Sequence, residues 1–235
     1  MKNLENEIKK YSNDEIKKSC EKFFKTWKWE YWEWDIFLWV KVPKIREIVK
    51  DFYEIDLEEL EKFFHSKYHE VRFWAIIILL KKYEKAKNIE EKKKILDFYI
   101  KNIDWVNNWD LVDISAHNII WKAILEKIIK ENFLDKYVQS KNIWYQRIGI
   151  LSTWTLIKNN NFWKTLEISK KLLNSKEDLI HKAIWWMLRE VWKKDNKIVE
   201  NFIIQNYDDI PRTTLRYAIE KMDKEKRKIF LNKIF

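Results

Sequence analysis

Residues 68–83 read YHEVRFWAIIILLKKY. Val71, Ala75, Leu79 and Tyr83 recur every four residues, so they form one row along a 3.6-residue helix. Residues 142–157, NIWYQRIGILSTWTLI, show a similar helical spacing, less regular, with Ile143, Ile148, Leu151 and Leu156. Strand-like alternation is weak throughout, and proline is confined to Pro43 and Pro211, both suited to the first turn of a helix. Helix starts are marked by short polar residues: Ser12 and Asn13, Asp56 before LEELEKFF, Asn88 before IEEKKKILDF, and Asp209 before IPRTTLRYAIEKM. These signals predict an all-α chain of about a dozen helices of ordinary length.

The helices read as repeats. Arg72, Trp109, Arg147 and Trp186 lie 37, 38 and 39 residues apart. A period just under ~40 residues fits two-helix units of the HEAT type, whose equivalent positions line one concave face. The expected architecture is therefore a curved α-solenoid of HEAT-like repeats. No linker or low-complexity stretch interrupts it, so residues 1–235 are expected to form a single domain.

Composition narrows the function. The 235 residues carry 47 Lys and Arg against 37 Asp and Glu, a formal net charge of +10, while 46% are hydrophobic. That balance excludes a disordered chain and favours a polyanionic partner. No apolar run reaches the ~18 residues of a membrane span, and the polar N-terminus MKNLENEIKKYSNDE is not expected to act as a secretory signal. A lone cysteine, Cys20, excludes a disulfide framework and a cysteine-ligated zinc site. A soluble, cytoplasmic monomer without metal or cofactor is expected.

One pair of counts is abnormal: 15 Trp and 1 Gly. Average usage would give a chain of this length about 16 Gly. Trp27, Trp29, Trp32, Trp34 and Trp39 crowd the polar stretch TWKWEYWEWDIFLW, where a loop calls for glycine. Trp192 follows a helical pattern and precedes a polar turn, the place of a glycine just past a helix end. The counts fit a gene that reads UGA as glycine, written out with UGA as tryptophan. The alternative is an aromatic loop that stacks on bases.

Four constellations offer chemistry. Trp109 and Asp113, in NNWDLVD, are one helical turn apart and share a face. A ring face beside a carboxylate suits a cationic ligand. The plainer alternative makes Trp109 core and Asp113 a solvated acid. In IWYQRI, Trp144 and Arg147 also share a face. Arg147 can hold a phosphate bidentately, or simply pair with Asp113. In KAIWWMLREV, Lys182 is a basic residue and Trp186 a second aromatic plate, although Trp185 and Trp186 could equally fill a core. In PRTTLRYA, Arg212, Thr213 and Arg216 gather at a helix start, which suits phosphate; a simple cap with surface arginines explains them as well. His65 and His69 are one turn apart but lack a third ligand in the sequence nearby, and His117 and His181 are isolated. No phosphate-cradling glycine loop is present, even with glycine restored at the suspect positions.

Taken in order from about residue 24 onward, these motifs, preceded by VKVPKIREIVK and HEVRF, resemble the AlkD-like DNA alkylation repair glycosylases. The resemblance implies a solenoid that cradles duplex DNA and hydrolyses the N-glycosidic bond of cationic N3- or N7-alkylated purines. It implies that Asp113 is the catalytic carboxylate, that Trp109 and Trp186 contact the sugar and backbone of the lesion nucleotide, and that Arg147 binds phosphate. Lys182, Arg212, Thr213 and Arg216 are further expected DNA contacts. Family members tend to carry Trp at the positions of Trp109, Trp144 and Trp186, and glycine at those of Trp39, Trp121, Trp185 and Trp192. They often have Arg at the position of Gln146 as well as at that of Arg147. A non-catalytic HEAT-type DNA-binding or scaffold protein is the competing class, since fold alone does not give function.

Overall fold

The computed structural model describes residues 10–12 and 35–235. Trp27, Trp29, Trp32, Trp34, Cys20 and the cap predicted at Asn13 lie outside them. The described chain is all-α; its only β pairing is an isolated parallel bridge between Ile36 and Tyr68. Chain contacts divide it into two compact units, Met1–Ser115 and Ala116–Phe235. No helix among the described residues is long and apolar enough to cross a membrane.

The first unit contains α1 (Val42–Ile48), α2 (Leu57–Phe64), α3 (His69–Lys85), α4 (Ile89–Lys101) and α5 (Trp109–Ser115). Helix α3 is its axis, and α1, α2, α4 and α5 all pack on it. The predicted apolar row is buried, and so is most of the remaining circumference from His69 to Ile76, because neighbours cover several faces of α3 at once. Asp56 and Asn88 cap as predicted. Asp56 Oδ1 accepts the Glu59 N–H at 2.7 Å, and Asn88 Oδ1 accepts the Glu91 N–H at 2.8 Å. Glu91 reaches back to the Lys87 N–H at 2.8 Å, so donors on both sides of the cap are satisfied.

The second unit contains α6 (Ile120–Leu125), α7 (Asp135–Val138), α8 (Ile143–Leu151), α9 (Trp154–Lys158), α10 (Trp163–Leu172), α11 (Asp178–Trp192), α12 (Asn196–Gln205), α13 (Arg212–Ala218) and α14 (Lys224–Asn232). Helix α11 plays the part that α3 plays in the first unit: α8, α9, α10, α12 and α13 all contact it. The chain's single glycine, Gly149, lies where α8 crosses α7. A Cβ there would lie 2.7 Å from Val138 Cγ2, so the close packing of the two helices requires its absence.

Three details depart from the sequence-based expectations. Trp192 is the last residue of α11 rather than the residue after it, and Lys193 beyond it stays right-handed at φ −62°, so this helix end needs no glycine. Asp209 does not cap α13; it belongs to a 3-10 turn, Tyr207–Asp209. Pro211 is the cap residue itself, extended at φ −56° and ψ 140°, and not a first-turn residue. Its ring keeps Ile210 out of the helical region, so a helix cannot run on from Asp209.

Trp39 behaves differently from Trp192. Its φ of 59° is in the left-handed region that favours glycine. Trp121 and Trp185 are packed into the core of the second unit, yet their indole N–H groups have no partner among the described residues.

Candidate functional site

The first unit carries the most concentrated polar constellation. Helix α5 begins where Asn108 accepts the Val112 N–H at 3.0 Å through its backbone carbonyl. Leu111, Val112 and Ser115 turn inward, and the Ser115 hydroxyl lies 2.8 Å from the Tyr99 hydroxyl and donates to the Leu111 carbonyl at 2.6 Å. Trp109 and Asp113, one turn apart, are both half-buried on the remaining side. The spacing read from the sequence therefore holds: a ring and a carboxylate share one partly accessible face.

Beneath the first turn of α5 lies a buried ionic cluster. His69 is 3% exposed. Its Nε2 lies 2.8 Å from Asp110 Oδ2 and its Nδ1 lies 3.2 Å from Asp35 Oδ2. Arg72 donates to the other oxygen of Asp35 and, at 2.9 Å, to the Ser66 carbonyl. Asn108 donates to Asp35 Oδ2 at 3.1 Å. Phe37 stacks on the imidazole with ring centroids 4.7 Å apart. Burial alone would lower the pKa of His69, but Asp110 and Asp35 outweigh it and raise that pKa to about 9, so the ring is an imidazolium at neutral pH. Burial would raise the pKa of Asp35; the bonds from His69 and Asn108 and the charge of Arg72 hold it below the usual carboxylate value.

Glu70, next to His69 on α3, is equally buried and serves a different purpose. Its carboxylate accepts the backbone N–H groups of Leu38 at 2.8 Å, Trp39 at 2.7 Å and Val40 at 3.4 Å. Successive N–H groups that converge around a residue of positive φ make an anion nest, and here a side chain of the same unit fills it.

In the second unit, Lys182 and Trp186 lie one turn apart on α11, with Lys182 exposed and paired to Asp178 at 2.7 Å and Trp186 half-buried. Arg147 on α8 is 5% exposed and donates through one guanidinium nitrogen to the Leu179 carbonyl at 2.6 Å. Trp144, one turn earlier, is buried. Arg212 and Arg216 are exposed on α13, with Arg212 donating to the Leu231 carbonyl at 2.5 Å. Thr213 is the second residue of that helix.

The family model for "DNA alkylation repair enzyme" matches residues 4–222. The chain belongs to the DNA alkylation repair enzyme family. A solved structure described as a predicted DNA alkylation repair enzyme from Enterococcus faecalis shares its fold, with a TM-score of 0.70 at 17% identity over 91% of this chain and 97% of that one. No curated protein matches the chain.

Within this DNA alkylation repair fold, the marked repeat positions do not occupy equivalent registers. Arg72 is the fourth residue of α3 and buried, whereas Trp109 opens α5 and is half-buried. In the second unit, Arg147 is buried near the middle of α8 and Trp186 is half-buried on α11. The two histidines one turn apart diverge: His65 stacks on Trp105 and lies 2.7 Å from Asn102 Oδ1, while His69 joins the carboxylates. Among the described residues no group of His, Cys, Asp and Glu could hold a metal ion. No motif in the sequence announces the Asp35–His69–Asp110 cluster. Its local sign is the polar His69, Glu70 and Arg72 in the first turn of a helix whose next stretch, residues 73–80, is apolar.

Proposed function

We propose that this repair protein is a DNA glycosylase that hydrolyses the N-glycosidic bond of cationic N3- and N7-alkylated purines in duplex DNA. The observation that carries the reading is that Trp109 and Asp113 lie one turn apart on α5 and are both half-buried. A scaffold has no need of an aromatic face and a carboxylate held together in this way.

The chemistry suits these groups. An alkylated purine already bears a positive charge. When the bond between its nitrogen and the sugar C1′ breaks, the electron pair goes to the base, which departs neutral and needs no strong general acid. The sugar is left as an oxocarbenium-like cation. The Asp113 carboxylate and the Trp109 ring face stabilise that developing charge. Water then adds to C1′ and gives up a proton, which Asp113 can accept as it orients the attack. The products are the free base and an abasic site.

Other roles follow from the family resemblance. Trp186 contacts the lesion nucleotide's sugar and backbone. Lys182, Arg212, Thr213 and Arg216 engage phosphates, in keeping with the +10 charge, and Arg147 joins them only by turning from the Leu179 carbonyl that it holds in the free protein. The protein works as a cytoplasmic monomer without metal or cofactor. Incubation of the purified protein with methylated duplex DNA tests the reading: release of 7-methylguanine supports it, and tight binding without release would make this a non-catalytic DNA-binding member of the family.

A further inference from the structure

We propose that His69 is a positioning residue, a buried cationic clamp that fixes the first turn of α5 and thereby aims Trp109 and Asp113. This rests on the glycosylase reading of those two residues.

Four observations carry it. First, the first turn of α5 is tethered on both sides of Trp109. Asn108 is bound to Asp35 at 3.1 Å, and Asp110 is bound to His69 at 2.8 Å. The indole therefore stands between two residues held by one cluster, and Asp113 follows one turn later on the same rigid helix.

Second, the clamp spans separate parts of the unit. His69 opens α3, Asp35 belongs to the segment before α1, and Asp110 lies on α5. The bonds cross 34 and 41 residues of chain, so no local propensity can substitute for them.

Third, the charges match. The carboxylates of Asp35 and Asp110 face the imidazole; the Asn108 amide nitrogen lies 3.3 Å from Nδ1 as well as donating to Asp35, and Arg72 pairs with the other oxygen of Asp35. Only a doubly protonated ring can donate to both carboxylates at once. Phe37 covers one ring face and Glu70 is occupied by backbone N–H groups.

Fourth, His69 cannot act on DNA itself. At 3% exposure it touches no solvent-borne substrate, so its influence has to pass through α5. Placement matters because a displacement of ~1 Å of a catalytic group can cost about 100-fold in rate.

Asp110→Asn is the central test. It keeps the size of a side chain that is only 15% exposed and removes the charge that faces His69. His69→Gln is the companion variant. Hydrogen exchange is followed in peptides covering 107–115 and, as a reference, 143–158. Single-turnover release of 7-methylguanine and the Kd for duplex DNA are measured alongside.

Exchange in 107–115 is expected to rise about tenfold or more with the reference peptide unchanged. Release should slow by about 10- to 100-fold with Kd held within about twofold. Unchanged protection of 107–115 would overturn the clamp, and so would an equal rise in both peptides, the mark of a merely structural residue. Faster local exchange with undiminished release would overturn its link to catalysis. If the wild-type protein releases no base, the glycosylase reading fails, and the exchange data alone decide whether the clamp exists.

Discussion

Glu70 accepts the backbone N–H of Trp39 at 2.7 Å, and the two N–H groups that flank it complete a nest around the same carboxylate. This ties the segment before α1 to the head of α3 just beside the clamp at His69. Bonds to a charged acceptor contribute about 1.5–3 kcal/mol each at most, and their sum is not additive. Glu70→Ala should therefore lower stability by about 3 kcal/mol in chemical denaturation. A loss below ~1 kcal/mol would mean that water replaces the carboxylate without cost.

The same nest makes Trp39 a sharp test of glycine character. Left-handed backbone costs a residue with a Cβ about 1–2 kcal/mol. Trp39 also stacks on Phe37 with centroids 5.0 Å apart, which is worth a similar amount. Comparing Trp39→Gly with Trp39→Ala cancels the effect of the missing ring, since both variants lack it. The glycine variant should be the more stable by about 1 kcal/mol, the reverse of the usual order of these residues outside the left-handed region. A more stable alanine variant would refute the positive φ. Peptide mass spectrometry of the native protein across residues 27–39 reads the decoding directly.

Stability should depend on pH through His69. Its folded pKa of about 9 exceeds the ordinary 6.5, so the folded state binds the proton more tightly. The contribution is then fully present below pH 6.5, fades as pH rises and is gone above about 9; its full size is about 3 kcal/mol. Asp35 works in the opposite sense: its lowered pKa contributes above the ordinary carboxylate value and is lost as acid protonates it. Denaturation curves at pH 6 and pH 9.5 should differ in midpoint for the wild type and much less for His69→Gln. Equal pH dependence in the two proteins would show that the imidazole is not the group responsible.

Much of this organisation is written locally, and that part was legible. The axis α3 shows as apolar periodicity because its apolar row lies within one segment. The Trp109–Asp113 face was legible for the same reason, as a spacing of four on one helix. The cluster below it was not, because Asp35, His69 and Asp110 meet only through tertiary folding. Arg147 teaches the same lesson. Nothing near it in the sequence reveals that its guanidinium is buried on the Leu179 carbonyl, 32 residues away. The end of α11 is not legible at Trp192, because a helix can stop in a right-handed turn without any left-handed residue, as Lys193 shows.

The two arginines of α13 should report on DNA phosphate. Arg212 and Arg216 are exposed one turn apart, although Arg212 also holds the Leu231 carbonyl of α14. Each phosphate that an arginine no longer neutralises should reduce the slope of log affinity against log salt by about 0.9. The Arg212→Ala, Arg216→Ala double variant should therefore bind duplex DNA more weakly at low salt and with a slope smaller by up to about 1.8. Wild-type affinity and slope would exclude this face of α13 from the interface. Arg216→Ala alone leaves the bond to α14 intact and separates the phosphate effect from a loosened helix.

Asp113 should matter for excision and hardly at all for binding. A carboxylate that stabilises a cationic sugar gains its advantage only as the glycosidic bond breaks, because the sugar of the bound lesion is still neutral. Its charge meanwhile opposes nearby phosphates. Asp113→Asn should therefore bind undamaged duplex DNA as well as the wild type, or slightly more tightly. Release of a cationic base should slow by about 100-fold or more, the usual cost of one electrostatic catalytic group. Trp109→Ala should cost less, since a ring face attracts a cation by only about 0.5–2 kcal/mol. Residual release is expected over long incubations, because an alkylated purine departs slowly unaided. Single-turnover kinetics beside a binding titration separate the two effects. Undiminished release by Asp113→Asn would remove the carboxylate from the mechanism, and with it the argument that the face shared with Trp109 is an active site.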